Sequence, residues 1–152
     1  MPFYPFLIRP VLFLFDPEWI HNNTLAVSGF LGRVEPTRAL LRSMFVFDDA
    51  RLNVQVGDLY FPNPVGLAGG FDKNGVAVEG LAAAGFGFVE VGSVSAYASQ
   101  GNPERPRLFR VPNDDAIVVY YGVPNDGAEV VAERLKPVRL PVPLGINLVE
   151  TN

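Results

Sequence analysis

The chain has 152 residues, twelve basic against sixteen acidic, a formal charge of −4 and 49% hydrophobic side chains. That is the material of one domain with a substantial core, and a net acidic chain offers little to a nucleic-acid backbone. Cysteine is absent and His21 is the single histidine, which excludes disulfides, thiolate metal sites and cysteine nucleophiles. A histidine-centred metal site or a Ser-His-Asp triad is disfavoured for the same reason, so no metal is expected.

The opening segment, MPFYPFLIRPVLFLFDPEW, is strongly apolar but broken by Arg9, Pro10 and Asp16. Its longest uncharged apolar run, Val11 to Phe15, is far short of the ~20 residues that span a bilayer. It carries no small-residue cleavage site of the secretory kind. Two readings of it stand level. It is a core helix beneath later structure, or a peripheral anchor that dips Phe3, Phe6, Leu7, Phe13 and Phe15 into lipid. Asp16-Pro17-Glu18 then supplies an N-cap, a proline at the first helical position and an acid in the first turn. The helix it starts runs to Gly29 or Gly32 with Trp19, Ile20, Val27 and Leu31 on its inner face, interrupted by Asn22-Asn23-Thr24. Glu35-Pro36-Thr37 starts a shorter one, Arg38 to Met44. Residues 1–47 thus form a helical extension.

Residues 48–152 have a different texture. Leu52 to Val56 alternates with period two, Gly57-Asp58 is a turn, and Leu59 to Phe61 returns as a hairpin. Pro64 to Ala68 is a short buried strand ending in Gly69-Gly70, and Val76 to Ala84 a helix of small residues stopped by Gly85. Phe86 to Val91 is a second strand, ending in Gly92-Ser93. A loop rich in Pro, Gly and Arg runs from Ala96 to Arg107. Leu108 to Val111 and Ala116 to Tyr121 form an excursion of two strands. Asp126 to Lys136 is a helix, and Leu144 to Leu148 a third strand. Strand and helix alternate as in parallel βα units, whose ligands sit at the carboxyl ends of the strands. Those ends carry Gly69 to Lys73, Gly92-Ser93 and Asn147.

The segment Gly66 to Gly75 matches neither a dinucleotide fingerprint nor a P-loop. As chemistry it is a glycine loop entering a helix with one lysine beside it. Exposed backbone N–H groups and an ammonium suit an anionic group or an electron-rich ring. An ordinary tight βα turn with a solvated lysine has the same spacing.

The string itself is more specific. Asn63-Pro-Val-Gly-Leu-Ala-Gly-Gly-Phe-Asp-Lys-Asn-Gly75 closely resembles the flavin-binding first strand and loop of the dihydroorotate dehydrogenase family. Gly85-Phe-Gly-Phe-Val-Glu-Val-Gly-Ser-Val-Ser95, Gly101-Asn-Pro-Glu-Arg-Pro-Arg-Leu-Phe-Arg110 and Gly145-Ile-Asn147 follow in the family's order and spacing. Tyr4-Pro5, Arg9-Pro10, Leu14 to Glu18 and His21 resemble the N-terminal extension of its quinone-dependent class.

The resemblance implies an α/β fold of the TIM (β/α)8 barrel family, present here as about three βα units behind the helical extension. It implies FMN at the barrel mouth and oxidation of dihydroorotate to orotate in pyrimidine biosynthesis. It further implies a membrane quinone that reoxidises the flavin, and a peripheral seat on the cytoplasmic side of the cell membrane. By the same resemblance, Gly69, Gly70, Phe71, Asp72, Lys73, Ser93 and Asn147 contact FMN, Lys73 reaches substrate as well, and His21 belongs to a quinone tunnel. A lysine there stabilises negative charge arriving on the flavin. A strand-end cap for Ser93 and Asn147, and a packed or solvated His21, are the plain alternatives.

The pattern breaks in the substrate loop. Where the family carries Asn-Arg-Met-Gly-Phe-Asn-Asn, this chain reads Val119-Tyr120-Tyr121-Gly122-Val123-Pro124-Asn125. A site of amide hydrogen bonds that loses one forfeits ~1–3 kcal/mol. After Asn147 the family's Ile-Gly-Lys-Asn is replaced by Leu148-Val-Glu-Thr-Asn152. A complete barrel takes about 250 residues, so the catalytic base, a serine in this class, is expected beyond residue 152. The third strand is then an open apolar edge prone to self-association. An alternative function follows from these departures: a truncated, non-catalytic homologue acting as a binding or assembly partner. A further one keeps the flavin and changes the substrate, with Tyr120 and Tyr121 making a more apolar pocket.

Overall fold

The computed structural model describes residues 3–150. The outermost residues of both predicted segments, 1–2 and 151–152, lie outside the described residues.

A π-helical turn, Tyr4–Ile8, leads directly into α1 (Arg9–Leu12). Helix α2 (Pro17–Arg33) follows, with the Asp16 carboxylate accepting from the Trp19 amide at 2.8 Å, as the Asp-Pro-Glu signal predicts. The polar triplet does not interrupt it. Asn23 and Thr24 turn their side chains back to the carbonyls of Trp19 and Ile20 and stay helical. Its inner face also differs from expectation. Trp19 and Val27 are exposed, whereas Glu18, Gly29 and Gly32 are buried with His21, Leu25 and Ser28 half-buried between them. The reason is close packing on a second helix, which rewards small residues over large ones. Helix α3 (Glu35–Phe45) is longer than predicted and is tied by Arg38 to a later helix through Glu79, at 2.5 Å.

Strands β1 (Val54–Val56) and β2 (Leu59–Phe61) pair as the predicted antiparallel hairpin about Gly57-Asp58. Leu52, expected to open the first strand, instead ends a 3-10 turn, Ala50–Leu52, which the Asp49 carboxylate caps by accepting from the Arg51 amide. The parallel sheet has the order β3-β4-β7, formed by Gly66–Leu67, Phe88–Val94 and Leu144–Leu148. The first of these is shorter than predicted. The second starts later and runs on through Gly92 and Ser93, so Ser93 lies within a strand. An irregularity in pairing with β7 between Val91 and Val94 accommodates that extension. Helix α4 (Val78–Ala83) connects β3 to β4, and α5 (Ala128–Leu135) leads into β7. Both are trimmed at each end relative to the sequence expectation. The excursion between them is the antiparallel pair β5 (Leu108–Val111) and β6 (Ala116–Val119), with Tyr120 and Tyr121 beyond its end.

The core lies where α4 and α5 cover the sheet. Val89 and Val91 on the central strand are fully buried, packed with Ala77, Val78, Leu81, Ala82, Val94 and Val131. Burying a valine or leucine there contributes roughly 1.5–3 kcal/mol. On the outer side of α4, the Gly29 and Gly32 stretch of α2 makes backbone contact with Val76 and Gly80. The described residues form a partial α/β layer of three parallel strands and no closed barrel.

Candidate functional site

A cleft of about 1250 Å³ opens at the carboxyl ends of β3 and β4. One wall is the loop Gly69 to Phe71 with Lys73 and Ser93. The opposite wall comes from the N-terminal segment: Tyr4, Arg9, Leu12, Phe13 and His21. The β5–β6 hairpin and the residues after it close the side with Val119, Tyr120, Tyr121, Gly122 and Val123. Local sequence explains each placement. The chain leaves β3 through Gly70 at φ +104°, a conformation that favours glycine, and a Cβ there would meet nothing within 4 Å. Gly70 therefore presents bare backbone to open space. The Gly92–Ser93 peptide is cis, and Ser93 is half-buried on the strand itself.

The seven residues expected around a flavin separate into two groups. Gly69, Gly70, Phe71, Lys73 and Ser93 share the cleft. Asp72 turns away from it. Its carboxylate is fully buried and accepts from the amides of Val76 at 3.0 Å and Ala77 at 2.7 Å, just before α4. That side chain fixes the loop and leaves no free oxygen aimed at the cleft. Asn147 is exposed on β7 beside Gly69 and Gly92, outside the cleft lining.

Lys73 is half-buried and donates to the Gly70 carbonyl at 2.7 Å. Its ammonium also stands 4.5 Å from the centre of the Tyr121 ring. Burial and the neighbouring Arg107 charge hold it below the ordinary lysine value. His21 packs edge-on against Phe71 with ring centres 4.9 Å apart, and burial together with the Lys73 charge lowers its pKa. Both influences favour the neutral imidazole.

Two residues not among the expected site residues line a smaller cavity that adjoins the cleft and shares His21, Phe71, Lys73 and Tyr121 with it. Glu18 and Arg107 form a buried ion pair at 2.5 Å, and the Arg107 guanidinium stands 5.0 Å from the Tyr121 ring. The signal available for Glu18 was its spacing with His21 and Leu25 on one helical face. Arg110, in the motif but not singled out, donates to the carbonyls of Phe15 at 2.8 Å and Leu12 at 3.3 Å. With Arg9, which bonds Asp115 at 2.9 Å, it fastens the N-terminal segment to the hairpin. Both guanidiniums lie within 5.0 Å of the Phe13 ring centre.

A glycine-lined, lysine-bearing cleft at the carboxyl ends of parallel strands stands where α/β proteins built of βα units bind their ligands. Comparison with known proteins makes the class specific. The family profile described as dihydroorotate dehydrogenase matches residues 51–151. The dihydroorotate dehydrogenase (quinone) of Synechococcus sp. (strain JA-3-3Ab) is 44% identical over 97% of this chain and 41% of its own length. The protein of the same name from Gloeobacter violaceus is 46% identical over 93% and 40%. Two crystal structures of Eimeria tenella DHODH, one with ferulenol and one ligand-free, superpose with TM-scores of 0.71 and 0.73. Their identities are 32% and 34%, over 90% of this chain and 36% and 38% of theirs. This chain belongs to the dihydroorotate dehydrogenase family. It spans about 40% of the length of the curated relatives it matches.

Proposed function

We propose that this chain carries one wall of the flavin site, together with the quinone-side extension, of a dihydroorotate dehydrogenase (quinone). In this reading β3, β4 and β7 are three strands of a (β/α)8 barrel, and FMN is held at their carboxyl ends. The observation that carries it is the convergence of Gly69, Gly70, Lys73 and Ser93 on the cleft that the N-terminal segment also lines.

The residues present fit such a group. Gly70 leaves room where a side chain would intrude, and backbone at the loop can approach a planar ring closely. Lys73 supplies a cation in a partly desolvated position, where it stabilises negative charge more than it would in water. Bound against Gly69, Gly70, Lys73 and Ser93, FMN would supply a hydride acceptor for dihydroorotate and an electron donor for a quinone. The side chains described here bind, orient and exclude water. Val119 through Val123 border the place of the pyrimidine with fewer hydrogen-bonding groups than the family loop has. The serine that removes the substrate's proton is supplied from outside these residues, so the isolated chain turns over dihydroorotate little or not at all.

His21 and the apolar segment before it form the quinone side. Phe6 and Leu14 are 79% and 82% exposed, and they suit a peripheral seat at the cytoplasmic face of a membrane. No helix among the described residues is long and apolar enough to cross one. At the other end, Ile146 and Leu148 on β7 expose apolar surface along the sheet edge and favour self-association at high concentration.

The test is a visible absorbance spectrum of the chain after incubation with FMN and desalting, beside a Lys73→Met variant. The expected result is a retained flavin band in the parent and about tenfold or greater loss of affinity in the variant. A colourless parent, or equal retention by both, contradicts the assignment.

A further inference from the structure

Glu18 occupies the first turn of α2, where an acid gains from the helix dipole while remaining in water. Here it is 6% exposed, and so is its partner Arg107 from the loop preceding β5. Arg107 donates through Nη2 to Oε1 at 2.5 Å and through Nε to Oε2 at 3.4 Å. Its Nη1 donates to the carbonyls of Gln100 and Asn102, both at 3.1 Å. All three guanidinium nitrogens are thereby engaged, and the plane cannot turn. The desolvation cost of such a pair rivals its Coulombic gain, so stability alone is a weak reason for its presence.

The pair leads to the cleft. Arg107 stands 5.0 Å from the Tyr121 ring centre, and the Lys73 ammonium stands 4.5 Å from the same centre. Tyr121 is itself buried, its hydroxyl without a hydrogen-bond partner among the described residues, so packing and these two cations hold it in place. Helix α2, the loop before β5, the turn after β6 and the glycine loop after β3 thus meet in one line of charge and ring. We propose that Glu18 and Arg107 are positioning residues for Lys73, acting through Tyr121 to hold its ammonium at the mouth of the cleft.

The role assigned to the lysine rests on the proposed flavin site; the link between these residues is tested without flavin. Lys73 shares one cavity with Glu18 and His21 from α2, Arg105 and Arg107 from the loop before β5, Tyr121 after β6, Asp126 before α5 and Asp72 beside it, and the exposed Arg105 also reaches Glu18 at 3.4 Å. Arg107 works against protonation of Lys73, whereas Asp72 and Glu18 favour it. The two partners of the buried pair therefore act on the lysine in opposite directions.

The chain contains two lysines, Lys73 and Lys136. Lysine labelled with carbon-13 at Cε gives one NMR signal for each, and Lys136, on the surface beside Glu133, serves as the internal reference. In folded protein, Glu18→Gln shifts the Lys73 midpoint to lower pH than in the parent, and Arg107→Met shifts it higher. Lys136 moves in neither. Loss of structure alone would carry Lys73 upward toward the free lysine value in both variants, so the downward shift is diagnostic. A Glu18→Gln midpoint that is unchanged or raised overturns the proposal.

Should Glu18→Gln fail to fold by circular dichroism, the comparison becomes Arg107→Met against the double variant Glu18→Gln/Arg107→Met. The double variant removes both buried charges together, a change that buried ion pairs often tolerate. A higher midpoint in the single variant supports the link, and equal midpoints overturn it. Failure of this order leaves FMN retention untouched, and failure of FMN retention leaves this order untouched.

Discussion

Gly32 of α2 and Gly80 of α4 meet backbone against backbone: a Cβ on Gly32 would stand 2.4 Å from the Gly80 amide nitrogen. A Cβ on Gly80 would come closer still to α2, 2.0 Å from the Ser28 carbonyl oxygen. No flexible side chain is available to yield at either place. Alanine at either position gains about 1 kcal/mol of helix propensity, but overpacking costs typically 1–3 kcal/mol and can cost more. The backbone-to-backbone clash puts these sites at the upper end. Gly32→Ala and Gly80→Ala are therefore expected to lower the urea midpoint. A midpoint at or above the parent's would show that α2 is not seated on α4 in this way.

Asp72 illustrates a residue whose motif position and structural task differ. Its two oxygens take the amides of Val76 and Ala77 from a fully buried position. Asp72→Ala leaves the buried Ala77 amide unpaired, at about 1–3 kcal/mol, and takes the acceptor from the part-buried Val76 amide. Chemical denaturation is expected to show a loss of that size. Hydrogen exchange at Val76 and Ala77 should rise with it. Unchanged stability and protection would return Asp72 to the open cleft.

How far the sequence could be read turns on this distinction. The Asp16 cap, the βα alternation and the glycine loop are local signals, and the structure carries them nearly in place. A hydrophobicity pattern assigns Trp19, Ile20, Val27 and Leu31 to the inner face of α2, whereas only Ile20 and Leu31 of these are half-buried. Close packing gives that face to Gly29 and Gly32 instead. The Glu18–Arg107 pair spans 89 positions, and no local pattern joins such distant partners. Ser93 moved into β4 because pairing with β7 resumes beyond Val91.

His21 sets a pH dependence whose sign follows from its surroundings. Burial and the Lys73 charge lower its pKa in the folded chain, whereas the unfolded value is about 6.5. The unfolded state therefore binds the proton more readily, and the stability contributed is complete above about pH 6.5. It is lost as pH falls from there through the folded value. His21 being the only histidine, its imidazole signal is unambiguous by proton NMR. A midpoint below that of a free histidine is expected, and His21→Phe should remove the corresponding fall in stability. A midpoint at or above the free value contradicts the half-buried placement against Phe71.

In the proposed function a flavin seats on the glycine loop at the carboxyl ends of the parallel strands. Hydrogen–deuterium exchange with and without FMN addresses its location directly. Slowed exchange is expected in peptides covering residues 66–73 and 92–95, with the β1–β2 hairpin unaffected. Protection absent from both segments, or confined to residues elsewhere, would contradict it.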